Sequence, residues 1–177
     1  MSKTKRKSWR EKLADSKDLP KVCPIEGKLS KRWGEGLVVI PAPAEVDAIM
    51  RTVRPGKLIT IDEIRAKLAK QHGATVACPL TTGIFAWIAA HAADEAEQEG
   101  KCRITPYWRT LKSGGELNSK YPGGIENVKA RLEAEGHSVV QIRKRFFVQT
   151  SDRRASRSSA GASTAGRAKV RPKTRIA

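Results

Sequence analysis

The positive charge of this chain is concentrated at its two ends, and that partition decides where a core can form. Residues 1–34 carry 11 Lys and Arg against 4 acids, and residues 143–177 carry 11 against 1, whereas residues 35–142 hold 13 of each sign. The formal net charge of +17 therefore belongs to the ends. A neutral centre of about 100 to 110 residues suits one domain, and the whole chain is short for two. One core is expected within residues 35–149, between a basic N-terminal arm, residues 1–34, and a tail, residues 150–177. The tail is rich in Ser, Ala, Gly, Arg and Lys without apolar periodicity, the composition of a disordered segment. No run of 18 apolar residues occurs, and Met1-Ser2-Lys3-Thr4-Lys5-Arg6-Lys7 has no apolar stretch behind it. Neither a membrane span nor a signal peptide is expected, and the chain reads as cytoplasmic.

In the arm, Trp9 and Leu13 are spaced to share one helix face, and Pro20 and Pro24 break any longer helix. Trp9 and Trp33 either dock on the domain or stack on bases while the arm tracks phosphates. Leu37-Val38-Val39-Ile40 reads as a strand, and Val46, Ile49, Met50 and Val53 as one face of a helix stopped at Pro55-Gly56. Thr60 or Asp62 caps a helix from Glu63 to about His72, and Gly73 ends it. A second helix starts near Thr81 or Thr82 and runs into the acidic stretch from Asp94 to Glu99. Two helices joined by seven or eight residues form a helix-turn-helix with a long linker.

The first turns of the second helix lack Arg, Lys, Asn and Gln, so reading of base edges in the major groove is not expected. Gly83, Ala86, Ala89, Ala90 and Ala93 give it a small-residue face, suited to close approach or simply to helix formation. After Gly123-Gly124 comes a helix, Ile125 to Glu135, and then two β-like runs around Arg143-Lys144 that fit a β-hairpin with a basic tip. The expected fold class is α+β, mainly helical: a winged-helix-like helix-turn-helix domain with a C-terminal β-hairpin. Cys23, Cys78 and Cys102 form no C-x-x-C pair and have no histidine at metal-ligand spacing, so reduced thiols and no metal are expected.

Pro106-Tyr107-Trp108-Arg109, the stretch from Gly115-Glu116-Leu117 to Tyr121-Pro122-Gly123-Gly124, and Glu135-Gly136 together resemble the DNA-binding domain of the alkylguanine-DNA alkyltransferases. The likeness covers roughly residues 45–136. That family has Pro-Cys-His-Arg at the first motif, and its cysteine accepts the alkyl group. Here the acceptor position is Tyr107, a phenol that stays protonated near neutral pH, and Trp108 stands where a histidine would relay the proton. The resemblance thus points to the alkyltransferase-like proteins, which bind alkylated DNA without repairing it.

The resemblance implies a lesion pocket of Tyr107, Trp108, Arg109, Tyr121 and Glu135. It also implies a DNA-binding surface of Ile61, Leu80, Thr81, Thr82, Gly83 and Ala86; beyond the resembling stretch, the basic tip at Arg143 and Lys144 is expected on phosphate from its charge alone. In the family the second helix enters the minor groove by its small face. Ile61 stands where a tyrosine meets a backbone phosphate, and Leu80 where an arginine enters the base stack; an apolar side chain can still wedge bases apart. Arg109 is expected to bond within the fold. The implied partners are double-stranded DNA, alkylated or plain, and DNA-repair proteins, with the chain monomeric, nucleoid-associated and free of cofactors. Two alternatives stand beside this: an active alkyltransferase with another acceptor such as Cys102, and a nonspecific nucleic-acid or protein interaction module.

Overall fold

The computed structural model of the protein describes residues 6–149, the side chains of Leu29 and Arg32 apart. The tail expected to be disordered, residues 150–177, lies outside the described residues. The architecture is α+β, mainly helical, with small sheets.

The chain begins with α1 (Trp9–Ala14), whose Ser8 and Glu11 form a reciprocal capping box. Next come β1 (Lys21–Pro24), the short α2 (Ser30–Trp33) and β2 (Leu37–Ile40). β1 pairs antiparallel with β2, Val22 opposite Val39. The boundary read at residues 34/35 therefore needs correction, because it separates two paired strands and leaves out α1, which packs on the longest helix of the body. Its physical reason is that the charged residues of the arm lie on exposed faces of short elements whose apolar residues still dock.

The helix α3 (Pro43–Arg51) opens with proline at its first position, where the missing N–H costs nothing. Its Glu45 carboxylate accepts the Ala42 amide at 2.8 Å and reaches His72 at 2.8 Å, tying α3 to the end of α4. β3 (Ile59–Thr60) leads directly into α4 (Ile61–Gln71), capped by Thr60 and Glu63 and stopped at Gly73, whose φ is +60°. The seven residues between α4 and the next helix are not a bare linker. They contain β4 (Val76–Ala77), which adds in parallel to β2 and completes a sheet of order β1-β2-β4. Gly36 allows the approach, since a Cβ there would lie 2.1 Å from the Thr75 hydroxyl.

The helix α5 (Pro79–Gln98) begins at Pro79, earlier than the sequence suggests, because proline at the first turn is tolerated where Thr81 looked like the cap. Beyond it lie a 3-10 turn (Tyr107–Arg109), β5 (Thr110–Leu111), α6 (Gly124–Ala134), and β6 (Val139–Ile142) paired antiparallel with β7 (Arg145–Val148) across Arg143-Lys144. β5 pairs in parallel with β3, which fixes the 3-10 turn beside the start of α4. The core is continuous: Val46 and Met50 of α3, Ile64 and Leu68 of α4, Ala86, Ala89 and Ala90 of α5, Tyr107, and Val128 and Leu132 of α6. Alanines on α5 let its backbone come close to its neighbours, so the helix sits in the middle of the body and projects its other face outward.

Candidate nucleic-acid interface

The motif Pro106-Tyr107-Trp108-Arg109 is held from three sides. β5 anchors its C-terminal end, α6 supplies Asn127, and the residue after α6 supplies Glu135. The Glu135 carboxylate accepts from the Trp108 indole N–H at 2.7 Å, from Arg109 Nε at 2.9 Å on both oxygens, from Arg109 Nη2 at 2.7 Å, and from the Gly56 amide at 3.2 Å. Arg109 also donates to the Val53 carbonyl. Burial works against the charge on Glu135, but the hydrogen bonds from Arg109, Trp108 and Gly56 outweigh it and hold the carboxyl below the usual glutamate range. Arg109 thus bonds within the fold, and Trp108 donates to the same glutamate.

Tyr107 is fully buried. Its ring meets Trp108 and Tyr121 edge to face, at 5.4 and 5.7 Å between centroids, and its hydroxyl accepts from Asn127 Nδ2 at 3.1 Å. Burial pushes the Tyr107 hydroxyl above its ordinary pKa and does the same to Tyr121. The five residues expected to line a lesion pocket do come together, but as packed interior rather than as an opening. A phenol and an indole occupy more volume than a thiol and an imidazole, and hydrogen bonds to Asn127 and Glu135 lock them there. Tyr107 and Tyr121 are closed off by this packing, while Trp108, Arg109 and Glu135 stay partly exposed.

Cys102, the alternative acceptor considered from the sequence, lies apart from groups that would activate a thiol. It is exposed, its sulfur lies 4.0 Å from the Gly100 carbonyl, and it has no imidazole or carboxylate partner among the described residues. Among the described residues no group of His, Cys, Asp and Glu is placed to hold a metal ion, and no helix is long and apolar enough to cross a membrane.

The expected small-faced approach of the second helix to a groove is overturned. Ala86 and Ala89 are 1% and 0% exposed, sealed by the core, and Thr82 is fully buried with its hydroxyl donating to the Cys78 carbonyl at 2.8 Å. Alanine serves here for close helix packing inside the body. Ile61 is half-buried and packs on the same core. Thr81 is half-buried beside Cys78, while Arg143 and Lys144 are exposed at the β6–β7 turn, where Arg143 has a left-handed φ of +58°.

The outward face of α5 carries a different stripe: Leu80, Ile84, Trp87 and His91, at helical spacing. Leu80 is 71% exposed and Ile84 42%. Together with Pro79 and Gly83 they line a groove of about 800 Å³, whose far wall is Lys112, Asn118 and Lys120. Trp87 Nε1 donates to the Lys120 carbonyl at 2.9 Å, so the wall is fixed to the helix. The lower end of the stripe is covered by this chain's own arm, since Trp9 stacks on His91 at 4.6 Å and meets Trp87 edge to face at 4.7 Å. Gly83 lies on the groove floor with nothing within 4 Å of the place a Cβ would occupy. An alanine there would favour the helix by about 1 kcal/mol, so packing within the fold gives no reason for the glycine. Trp87, His91, Lys112 and Lys120 were missed in the sequence. The signal was available as the i, i+4, i+7, i+11 stripe, but the more conspicuous alanine stripe drew attention to the opposite face.

No protein-family model and no curated protein matches the chain. Among solved structures, the S. pombe Atl1 in complex with damaged DNA containing O6-carboxymethylguanine is similar at 20% identity, over 63% of this chain and 90% of that one, with a TM-score of 0.44. That likeness is too loose to carry residue roles from one chain to the other.

Proposed function

We propose that this protein is a non-enzymatic DNA-binding protein of the alkyltransferase-like kind, which grips the duplex with the head of α5 and with the basic β6–β7 turn as the wing of a winged-helix unit. The observation that carries this reading is Leu80, an apolar side chain left 71% exposed at the start of a 20-residue helix, with Lys112 and Lys120 across the groove from it. A wedge of this kind separates stacked bases, and the flanking cations meet phosphate. The reading also rests on the motifs around Tyr107 and on the loss of acceptor chemistry there, since the phenol is buried, hydrogen-bonded and held protonated. In this reading the chain acts as a monomer that marks alkylated sites for repair proteins. Because Tyr107 and Tyr121 fill the family's pocket, discrimination of a lesion comes from the ease with which damaged DNA unstacks and not from an enclosed base.

The test is titration of the full chain, at fixed salt, with duplexes that differ only in one O6-alkylguanine. Tighter binding of the lesion duplex is expected. Equal affinities leave a general DNA binder, and the absence of binding to either duplex removes the proposal.

A further inference from the structure

The groove on the outward face of α5 has room for an unpaired base as well as for the edge of a duplex. We propose that it is a binding site for single-stranded nucleic acid, with one unstacked base lying flat on the backbone at Gly83 between Leu80, Ile84 and the exposed part of Trp87. The proposal rests on the reading of α5 as the DNA-facing helix. Three independent features converge on it. The floor is apolar and open, within a groove of about 800 Å³, more than enough for a nucleotide. Gly83 leaves the helix backbone bare at the point of closest approach, with open space where any other residue would put a Cβ. The far wall is basic, and the Lys120 ammonium has no ion-pair partner among the described residues, while Lys112 is held in place by Glu116 at 2.7 Å.

A nucleobase is the occupant that fits all three features. Its planar faces are apolar and stack without regard to sequence, and it is joined to a phosphate that needs a cation a few ångströms away. A stacked, paired base presents only its edge, so the apolar floor of Leu80, Ile84 and Trp87 is matched only by the face of a base that has left the stack. The lower end of the same stripe already holds a flat aromatic ring from this chain, Trp9 on His91. That contact is an internal precedent for the kind of surface α5 accepts. The arm helix carrying Trp9 therefore closes one end of the groove and leaves the upper end, around Leu80, open to a strand.

The experiment compares three probes on the full chain: a short oligothymidylate, a blunt duplex, and the same duplex with a single-stranded overhang. The proposal expects the oligothymidylate to bind and the overhang duplex to bind at least tenfold more tightly than the blunt one. In Gly83→Leu, whose larger side chain fills the floor, the overhang-to-blunt ratio is expected to fall to about one, with a melting temperature close to the parent's, since a Cβ at this position meets nothing within 4 Å. A ratio of one in the parent, or a ratio unchanged in Gly83→Leu, overturns the single-strand site while duplex binding, and with it the reading above, still stands. If the oligothymidylate binds but neither duplex does, the duplex reading fails and the groove assignment survives.

Discussion

The Tyr107 centre and the head of α5 use aromatic and apolar side chains in opposite ways. At the centre the Tyr107 hydroxyl, the Trp108 N–H, the Arg109 guanidinium and the Glu135 carboxylate all find partners inside the fold, and the rings are packed edge to face. At the head of α5, Leu80 and Ile84 are left uncovered, and a helix-interior glycine lies beside them with no neighbour. The contrast teaches that the motif most conspicuous in the sequence is tied up in packing here, while the uncovered apolar surface lies on the outward face of α5.

The comparison is broken most forcefully at Glu135. Glu135→Ala leaves the Arg109 guanidinium, the Trp108 N–H and the Gly56 amide without their shared acceptor in a site where both members of the ion pair are nearly buried. A loss of about 3 to 5 kcal/mol is expected in urea unfolding; a loss within the range of ordinary surface changes would mean that this centre does not hold the fold. The pH dependence has a definite sign. The folded-state pKa of Glu135 lies below the unfolded value, so its contribution is complete above the ordinary glutamate pKa and is lost as pH falls through the folded value. Glu135→Gln should therefore lose less stability than the parent on going from neutral to acid pH, and an identical acid slope would refute the assignment.

At the other region the expected effect falls on binding and not on folding. Leu80→Asp puts a charged, hydrated carboxylate where the reading places an apolar wedge between bases, close to the phosphates, at a position too exposed to matter to the core. Stability should stay within about 0.5 kcal/mol of the parent, while affinity for duplex DNA should fall at least tenfold, about 1.4 kcal/mol. Unchanged affinity would move the interface away from α5.

Much of the fold was legible because local signals agreed with one another. Thr60 and Glu63 announced a capped helix, Gly73 its stop, and Leu37–Ile40 a strand, and each appears. The strand β4 was not legible, because two residues, Val76 and Ala77, carry no periodicity, and their pairing depends on Gly36 admitting Thr75. Nor did the arm announce that it belongs to the body, since β1 is a strand only through its partner. For the site, the resemblance grouped the residues around Tyr107, which hydrogen bonds and ring contacts link, but left open whether they enclose space or fill it. That is a question of volume and packing, and no spacing rule answers it. On α5 two stripes, one of alanines and one of larger apolar groups, run along the same helix. Only the packing of α1 and α3 decides which one faces out.

A smaller change tests whether the centre is as closed as it looks. Tyr107→Phe keeps the ring and removes only the hydroxyl that accepts from Asn127. A loss of about 1 kcal/mol is expected, with affinity for DNA unaltered because no part of Tyr107 reaches the surface. If DNA affinity changes with the hydroxyl, the centre opens when DNA binds, and the division between the two regions is one of state and not of place.

The smallest effect has the opposite sign. Gly83→Ala adds a methyl group that meets no atom within 4 Å and replaces the residue least suited to a helix interior with the one best suited to it. The variant should unfold later than the parent, by about 0.5 to 1 kcal/mol, part of which comes from the narrower unfolded ensemble. It should also bind nucleic acid less well, because the methyl group lifts any occupant off the helix backbone. Both outcomes are needed together. A more stable variant with undiminished binding would make Gly83 an accident of sequence, and the open groove would then be no different in kind from any other apolar patch on the surface. A more stable variant that binds more weakly would mean that the helix retains a less stable residue for the sake of what lies against it.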